Sequence, residues 1–138
     1  MGLEPYLLAS CLNLILAQRL IRKVCEQCKQ PVELNEDLIR RLKISPEVLK
    51  EVTFFEGKGC SACNGTGYLG RVPIFEFLPL DSAMREKVAL GAGEVEIRAV
   101  AREKGYADLF SSGVDRLLNG LTTAEEVLRV TFTEDVEV

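Results

Sequence analysis

Four of the five cysteines in this chain fall into two Cys-x-x-Cys pairs, Cys25 with Cys28 and Cys60 with Cys63, and 31 residues separate the inner two. A two-residue spacer lets both sulfurs of a pair converge on one ion. Two such pairs fill the tetrahedral shell that Zn²⁺ prefers. Histidine is absent, so four thiolates are the only soft-ligand set on offer. With every position taken by protein, no place is left for a reactive water. The pattern predicts a structural Zn²⁺, not a catalytic one.

Other uses of these cysteines fit less well. A disulfide framework implies an oxidising compartment, and the first residues carry no secretory signal. A redox Cys-x-x-Cys normally occurs once, beside a βαβ pattern. Rubredoxin-type iron stays open, because thiolate ligands alone do not separate iron from zinc. Cys11 lies in an apolar stretch and is expected to be a buried small hydrophobe.

At 138 residues with 47% hydrophobic content, the chain suits one domain or two small units sharing a core. A net charge of −4, no Trp and only 7% aromatics weigh against a nucleic-acid surface. The longest apolar run, residues 7–17, is interrupted by Ser10 and Asn13 and is too short to span a membrane, so no direct membrane span and a cytoplasmic location are expected.

Along the chain, Glu4-Pro5 opens an apolar segment that reads as a helix over 7–21, apolar on nearly every face and in want of cover. Asn35 and Ser45-Pro46-Glu47 start two short helices between the cysteine pairs. Residues 53–55 are extended, and 69–80 read as a strand in which Pro73 marks an edge or a bulge. Asp81 caps a helix to about 90. A second runs over 94–104 and ends at Gly105, and a third near 107–119 precedes Gly120. Thr122-Thr123-Ala124-Glu125 opens a fourth with capping-box spacing. The fold class is therefore α+β and mostly helical: a tetracysteine zinc-bound insertion, a short β segment and a C-terminal bundle of about four short helices. The expected divisions are an apolar helix at 1–24, the zinc module at 25–66, a strand at 67–80, a helical subdomain at 81–132 and a frayed acidic tail at 133–138.

No G-x-x-x-x-G-K-[ST] occurs, so the chain has no phosphate-cradling loop of its own. Ser111 and Ser112 have no plausible base beside them. Glu125 and Glu126 are adjacent on a helix, point to different faces and read as a solvated surface. Arg19, Arg22, Arg40 and Arg41 read as an exposed basic face, solvated or turned to a partner. The chain by itself is not expected to be an enzyme.

Three blocks, "LASCLNLILAQRLIRKVCEQCKQP", "GCSACNGTGYLGRVPIFEFLPLD" and "GLTTAEEVLRVT", together resemble the C-terminal part of the secretion and pilus-assembly ATPases, the hexameric motors of type II secretion and type IV pilus extension. The resemblance covers nearly the whole chain, with the blocks in the family's order. It implies that a RecA-like core, with the P-loop and the ATP and Mg²⁺ sites, precedes this region in a longer parent. It also matches Cys25, Cys28, Cys60 and Cys63 to the family's tetracysteine motif, Ala17-Gln18-Arg19-Leu20 to the segment leading into it, and Gly67, Arg71 and Glu76 to the strand that follows. Retraction-type relatives lack the cysteines, so the module is an insertion closed by a metal clip, and locking its ends lowers the cost of ordering a long loop. The implied partners are neighbouring subunits of a homohexamer and inner-membrane platform proteins, with a peripheral position at the inner membrane and no nucleic acid. The 7–21 segment is expected to self-associate. A J-protein-like chaperone zinc unit, suggested by "CSACNGTG", and a nucleic-acid-binding zinc ribbon are the alternatives. Metal removal is expected to unfold about 25–68 and to spare the helices after Asp81.

Overall fold

In a computed structural model of the chain, Gly2 and residues 4–132 are described. The acidic tail expected at 133–138 lies outside the described residues. Helix α1 (Pro5–Cys11) starts with Pro5 in its first turn, where a missing N–H costs nothing, and ends at Leu12, which is already extended. Strand β1 (Leu14–Val24) follows directly. The helix expected over 7–21 is thus a helix only to Cys11. Asn13 accounts for the break: its carbonyl accepts the Leu80 N–H at 2.9 Å and its side chain accepts from Arg85 at 2.7 Å. Beyond it the apolar run pairs with a strand. An apolar run without a clean period does not separate a buried helix from a strand, and tertiary pairing decided here. Cys11, expected to be buried, is exposed at the end of α1.

The remaining elements are β2 (Lys29–Val32), α2 (Glu36–Leu42), α3 (Pro46–Glu51), β3 (Phe54–Gly57), β4 (Tyr68–Pro79), α4 (Ser82–Ala89), α5 (Glu94–Glu103), α6 (Leu109–Leu118) and α7 (Ala124–Thr131). The expected α+β class holds. Three helix starts follow the local chemistry read from the sequence, and the fourth, read with the cap spacing of Thr122 and Glu125, is capped one residue later at Thr123. Asn35 accepts from the Leu38 N–H at 2.8 Å, Ser45 from Val48, Asp81 from Met84 at 3.0 Å and Thr123 from Glu126 at 3.3 Å. β1 pairs with β4. β2 pairs antiparallel with β3, with Lys29 opposite Gly57 and Val32 opposite Phe54. Pro31 sits in β2 without cost, because a two-stranded sheet leaves an edge with no N–H needed.

The chain divides into two units, Met1–Ala17 with Phe75–Asp108 and Gln18–Ile74 with Leu109–Val138. In the first, α1 packs on α4 and α4 on α5. Asp81, the cap of α4, also receives Lys104 and, at 2.8 Å, the Tyr106 hydroxyl. Lys104 foremost, then the Met84 N–H and Tyr106, hold this carboxyl well below its usual range. In the second unit, Leu42, Ile44 and Phe54 from between the cysteine pairs share one core with Leu117 of α6 and Ala124, Val127 and Leu128 of α7. A smaller cluster joins Ile21 and Ile74 to Leu109 and Val130. This differs from the helical subdomain expected at 81–132: α6 and α7 belong with the cysteine module. The reason is apolar supply. The segment between the pairs is too short to close a core, and the buried faces of α6 and α7 complete it.

Candidate metal centre

Strand β1 delivers Cys25 and β2 departs from Cys28, while β3 leads to Cys60 and β4 departs just after Cys63. Both sheets therefore end at the four cysteines. The Cys25 N–H donates to the Gly67 carbonyl at 2.9 Å, and the Lys58 N–H to the Cys28 carbonyl at 3.1 Å, so the two turns are laced to each other. Gly57 and Gly67 cross in direct backbone contact. A Cβ on Gly57 would stand 2.1 Å from the Gly67 oxygen, and one on Gly67 would stand 2.4 Å from the Gly57 oxygen. Gly67 also has φ +78°, which side chains resist.

All five cysteines are free thiols. The sulfurs of Cys25, Cys28, Cys60 and Cys63 all lie within 4.8 Å of one another. Cys25–Cys60 is 3.8 Å, Cys60–Cys63 3.8 Å and Cys28–Cys63 3.9 Å. Disulfide bonding needs about 2.05 Å. A tetrahedron built on metal–thiolate bonds of about 2.3 Å has edges of about 3.8 Å. The donor set and its spacing thus fit one tetrahedral soft divalent ion, and the four residues named from the sequence are the four that converge.

Backbone amides support the sulfurs. Cys28 Sγ accepts from Gly59 at 3.3 Å, and Cys63 Sγ accepts from Cys60 at 3.2 Å and from Gly67 at 3.2 Å. The Cys60 N–H, with help from that of Gly67, holds the Cys63 thiol down to about 6 despite burial. Burial pushes Cys28 up to about 12 against the Gly59 N–H. A dication bound at the centre would favour its sulfur ligands as thiolates.

Beside the centre in sequence lies a polar cluster that the sequence reading missed. Glu126, expected on a solvated face, is fully buried. Its carboxylate accepts from the Arg22 N–H at 2.9 Å, from Arg22 Nε at 2.9 Å and Nη2 at 2.7 Å, and from Arg129 Nε at 2.8 Å and Nη2 at 2.7 Å. Arg22 also stacks over the Tyr68 ring at 4.2 Å, and the Tyr68 hydroxyl meets Thr123 Oγ1 at 2.7 Å. Thr122 Oγ1 donates to the Arg22 carbonyl at 2.8 Å, and Arg19 donates to the Val130 carbonyl at 2.6 Å. Arg19 and Arg22 are therefore committed within the chain, whereas Arg40 and Arg41 stay at the surface beside Asp37. The sequence signal here was the capping-box spacing of Thr122 and Glu125, one residue before the observed cap at Thr123. It marked a cap, not a buried ion cluster.

Burial alone would raise the Glu126 carboxyl, but Arg129 and Arg22 outweigh it and hold it at about 2. A carboxyl lowered on folding stabilises fully above its unfolded value of about 4.3 and loses that contribution as pH falls toward its folded one. Between pH 5 and pH 2 the urea midpoint of the chain is expected to fall more steeply than that of Glu126→Gln. Metal loss in acid affects both alike, so parallel slopes would refute this assignment.

The model of the type II/IV secretion system protein family matches residues 1–129. The chain is 40% identical over 132 residues to the type IV pilus assembly ATPase PilB of Thermus thermophilus, covering 96% of this chain and 15% of that protein. It is 40% identical over 129 residues to the PilB of Myxococcus xanthus, covering 93% of this chain and 23% of the relative. Against the type II secretion system protein E of Aeromonas hydrophila it is 40% identical over 131 residues, covering 95% and 26%. The chain thus spans between 15% and 26% of the length of these curated relatives. Among the described residues, no helix is long and apolar enough to cross a membrane.

Proposed function

Because the chain belongs to the type II/IV secretion system protein family, we propose that it is the metal-clipped C-terminal region of a hexameric secretion or pilus-assembly motor. One structural Zn²⁺ is held by Cys25, Cys28, Cys60 and Cys63. The region couples ATP-driven movement elsewhere in the longer protein to neighbouring subunits or to platform proteins at the cytoplasmic face of the inner membrane. ATP and Mg²⁺ belong to that longer protein, and this region performs no catalysis itself.

The observation that carries the reading is the convergence of four thiols at tetrahedral spacing inside a chain matched to this family over nearly its whole length. Four thiolates leave no open position on the ion, so its contribution is to fix geometry. It holds the ends of both two-stranded sheets at one point, which gives the inserted α2–α3 segment a stiff base. Tyr6, Leu7 and Leu8 of α1 and Leu14, Ile15 and Leu16 of β1 are exposed. An apolar surface of that kind supports packing against another part of the motor.

Elemental analysis of the purified chain, paired with an ATPase assay, tests this. One zinc per chain and no turnover above background are expected. Iron in place of zinc, free thiols without metal, or turnover that follows the pure protein would overturn it.

A further inference from the structure

The four sulfurs do not share one environment. Cys63 is buried and its sulfur accepts two backbone N–H groups, from Cys60 and Gly67. Cys28 is half-buried and accepts one, from Gly59. Among the described residues, no backbone N–H is recorded donating to Cys25 Sγ or Cys60 Sγ, and these two differ in access. Cys25 is fully buried, whereas Cys60 is half-buried on a turn whose Ser61, Asn64, Gly65 and Thr66 are exposed.

An N–H donated to a thiolate withdraws electron density and occupies a lone pair, which blunts the sulfur as a nucleophile. Burial keeps reagents away. Cys63 has both protections, Cys25 has burial and Cys28 has an amide. Cys60 has only partial burial.

We propose that Cys60 is a modification site for soft electrophiles, the ligand at which the metal centre is opened. The inference rests on the reading that all four cysteines hold zinc. With a maleimide, the Cys60 sulfur adds to one alkene carbon. The S–C bond forms as the C=C π bond breaks, and the neighbouring carbon takes a proton from water. The product is a thioether, a much poorer zinc ligand than the thiolate it replaces. Three thiolates remain, the clip on the two sheet ends is lost, and the second unit loosens. Cys60 is thereby a point at which electrophilic stress disables the region without touching a nucleotide site.

Cys11 supplies an internal control, because it is exposed and lies outside the cluster. The full chain, its zinc content measured beforehand, is treated with N-ethylmaleimide below stoichiometry. Adducts are mapped by peptide mass spectrometry while released zinc is followed with a chromogenic chelator. Zinc loss is expected to rise one for one with the Cys60 adduct, ahead of adducts on Cys25, Cys28 and Cys63, and to be unchanged in Cys11→Ser. A first cluster adduct on Cys28, zinc release that precedes any cluster adduct, or release abolished by Cys11→Ser would overturn the inference while leaving the zinc reading intact. Protein that holds no zinc before treatment overturns the zinc reading, and this inference with it.

Discussion

Withdrawing the metal with a chelator is expected to unfold the cysteine module together with α6 and α7, while α4 and α5 keep their protection from hydrogen exchange. Leu42, Ile44 and Phe54 are buried against Leu117, Ala124, Val127 and Leu128, so neither partner has a core without the other. Val24 is also tied to this region through its N–H, which donates to the Leu121 carbonyl at 2.9 Å. Binding at a four-thiolate zinc site is worth on the order of 10 kcal/mol, comparable with the whole stability of a small domain. Loss of the ion removes the constraint that keeps β1, β2, β3 and β4 converging, and the shared core follows. The first unit has its own means of support in the Asp81 cap, its Lys104 and Tyr106 partners and the packing of α1 on α4. Residue-resolved exchange before and after chelation separates the outcomes. Protection retained in α7 would contradict the shared core, and uniform loss over all described helices would contradict the division into two units.

Replacing Glu126 by alanine is expected to cost about 1–3 kcal/mol with the metal still bound. The substitution leaves the Arg22 N–H and two guanidiniums facing a site that had satisfied them with five hydrogen bonds. The loss comes chiefly from the Arg22 N–H and the space left by the buried side chain, because the Arg22 and Arg129 side chains are 45% and 57% exposed and water takes over much of their bonding. Arg22 lies three residues before Cys25, and Tyr68, over which it stacks, follows Gly67 directly. The cluster therefore fixes α7 to the strands that flank the four converging cysteines. Glu126→Gln keeps the shape and loses the charge, and is expected to fall between wild type and Glu126→Ala. Urea unfolding in excess zinc measures both. A change below about 1 kcal/mol for the alanine variant would place Glu126 among ordinary surface carboxylates.

The convergence of Cys25, Cys28, Cys60 and Cys63 was legible from spacing alone, because a Cys-x-x-Cys turn has one dominant way to bring two sulfurs together. Helix starts were legible where the cap is local: Asn35, Ser45 and Asp81 each bond an N–H three residues on. What escaped was set by partners distant in sequence. Leu14 to Val24 became a strand because β4 lies beside it, and no period in "LILAQRLIRKV" says so. β2 was missed because "KQPV" carries a Pro and little apolar pattern, yet it pairs with β3 across the inserted helices. Glu126 looked like a surface acid because its two arginine partners lie 104 residues and three residues away. The crossing of Gly57 on Gly67 was likewise hidden: the sequence showed a glycine-rich segment, but not which two backbones touch.

X-ray absorption at the zinc edge tests the central claim most directly, since it reads the ion's own ligand shell. The account predicts one zinc per chain surrounded by four sulfurs at about 2.3 Å, with no lighter scatterer in the first shell. A shell containing oxygen or nitrogen, or fewer than four sulfurs, would contradict it.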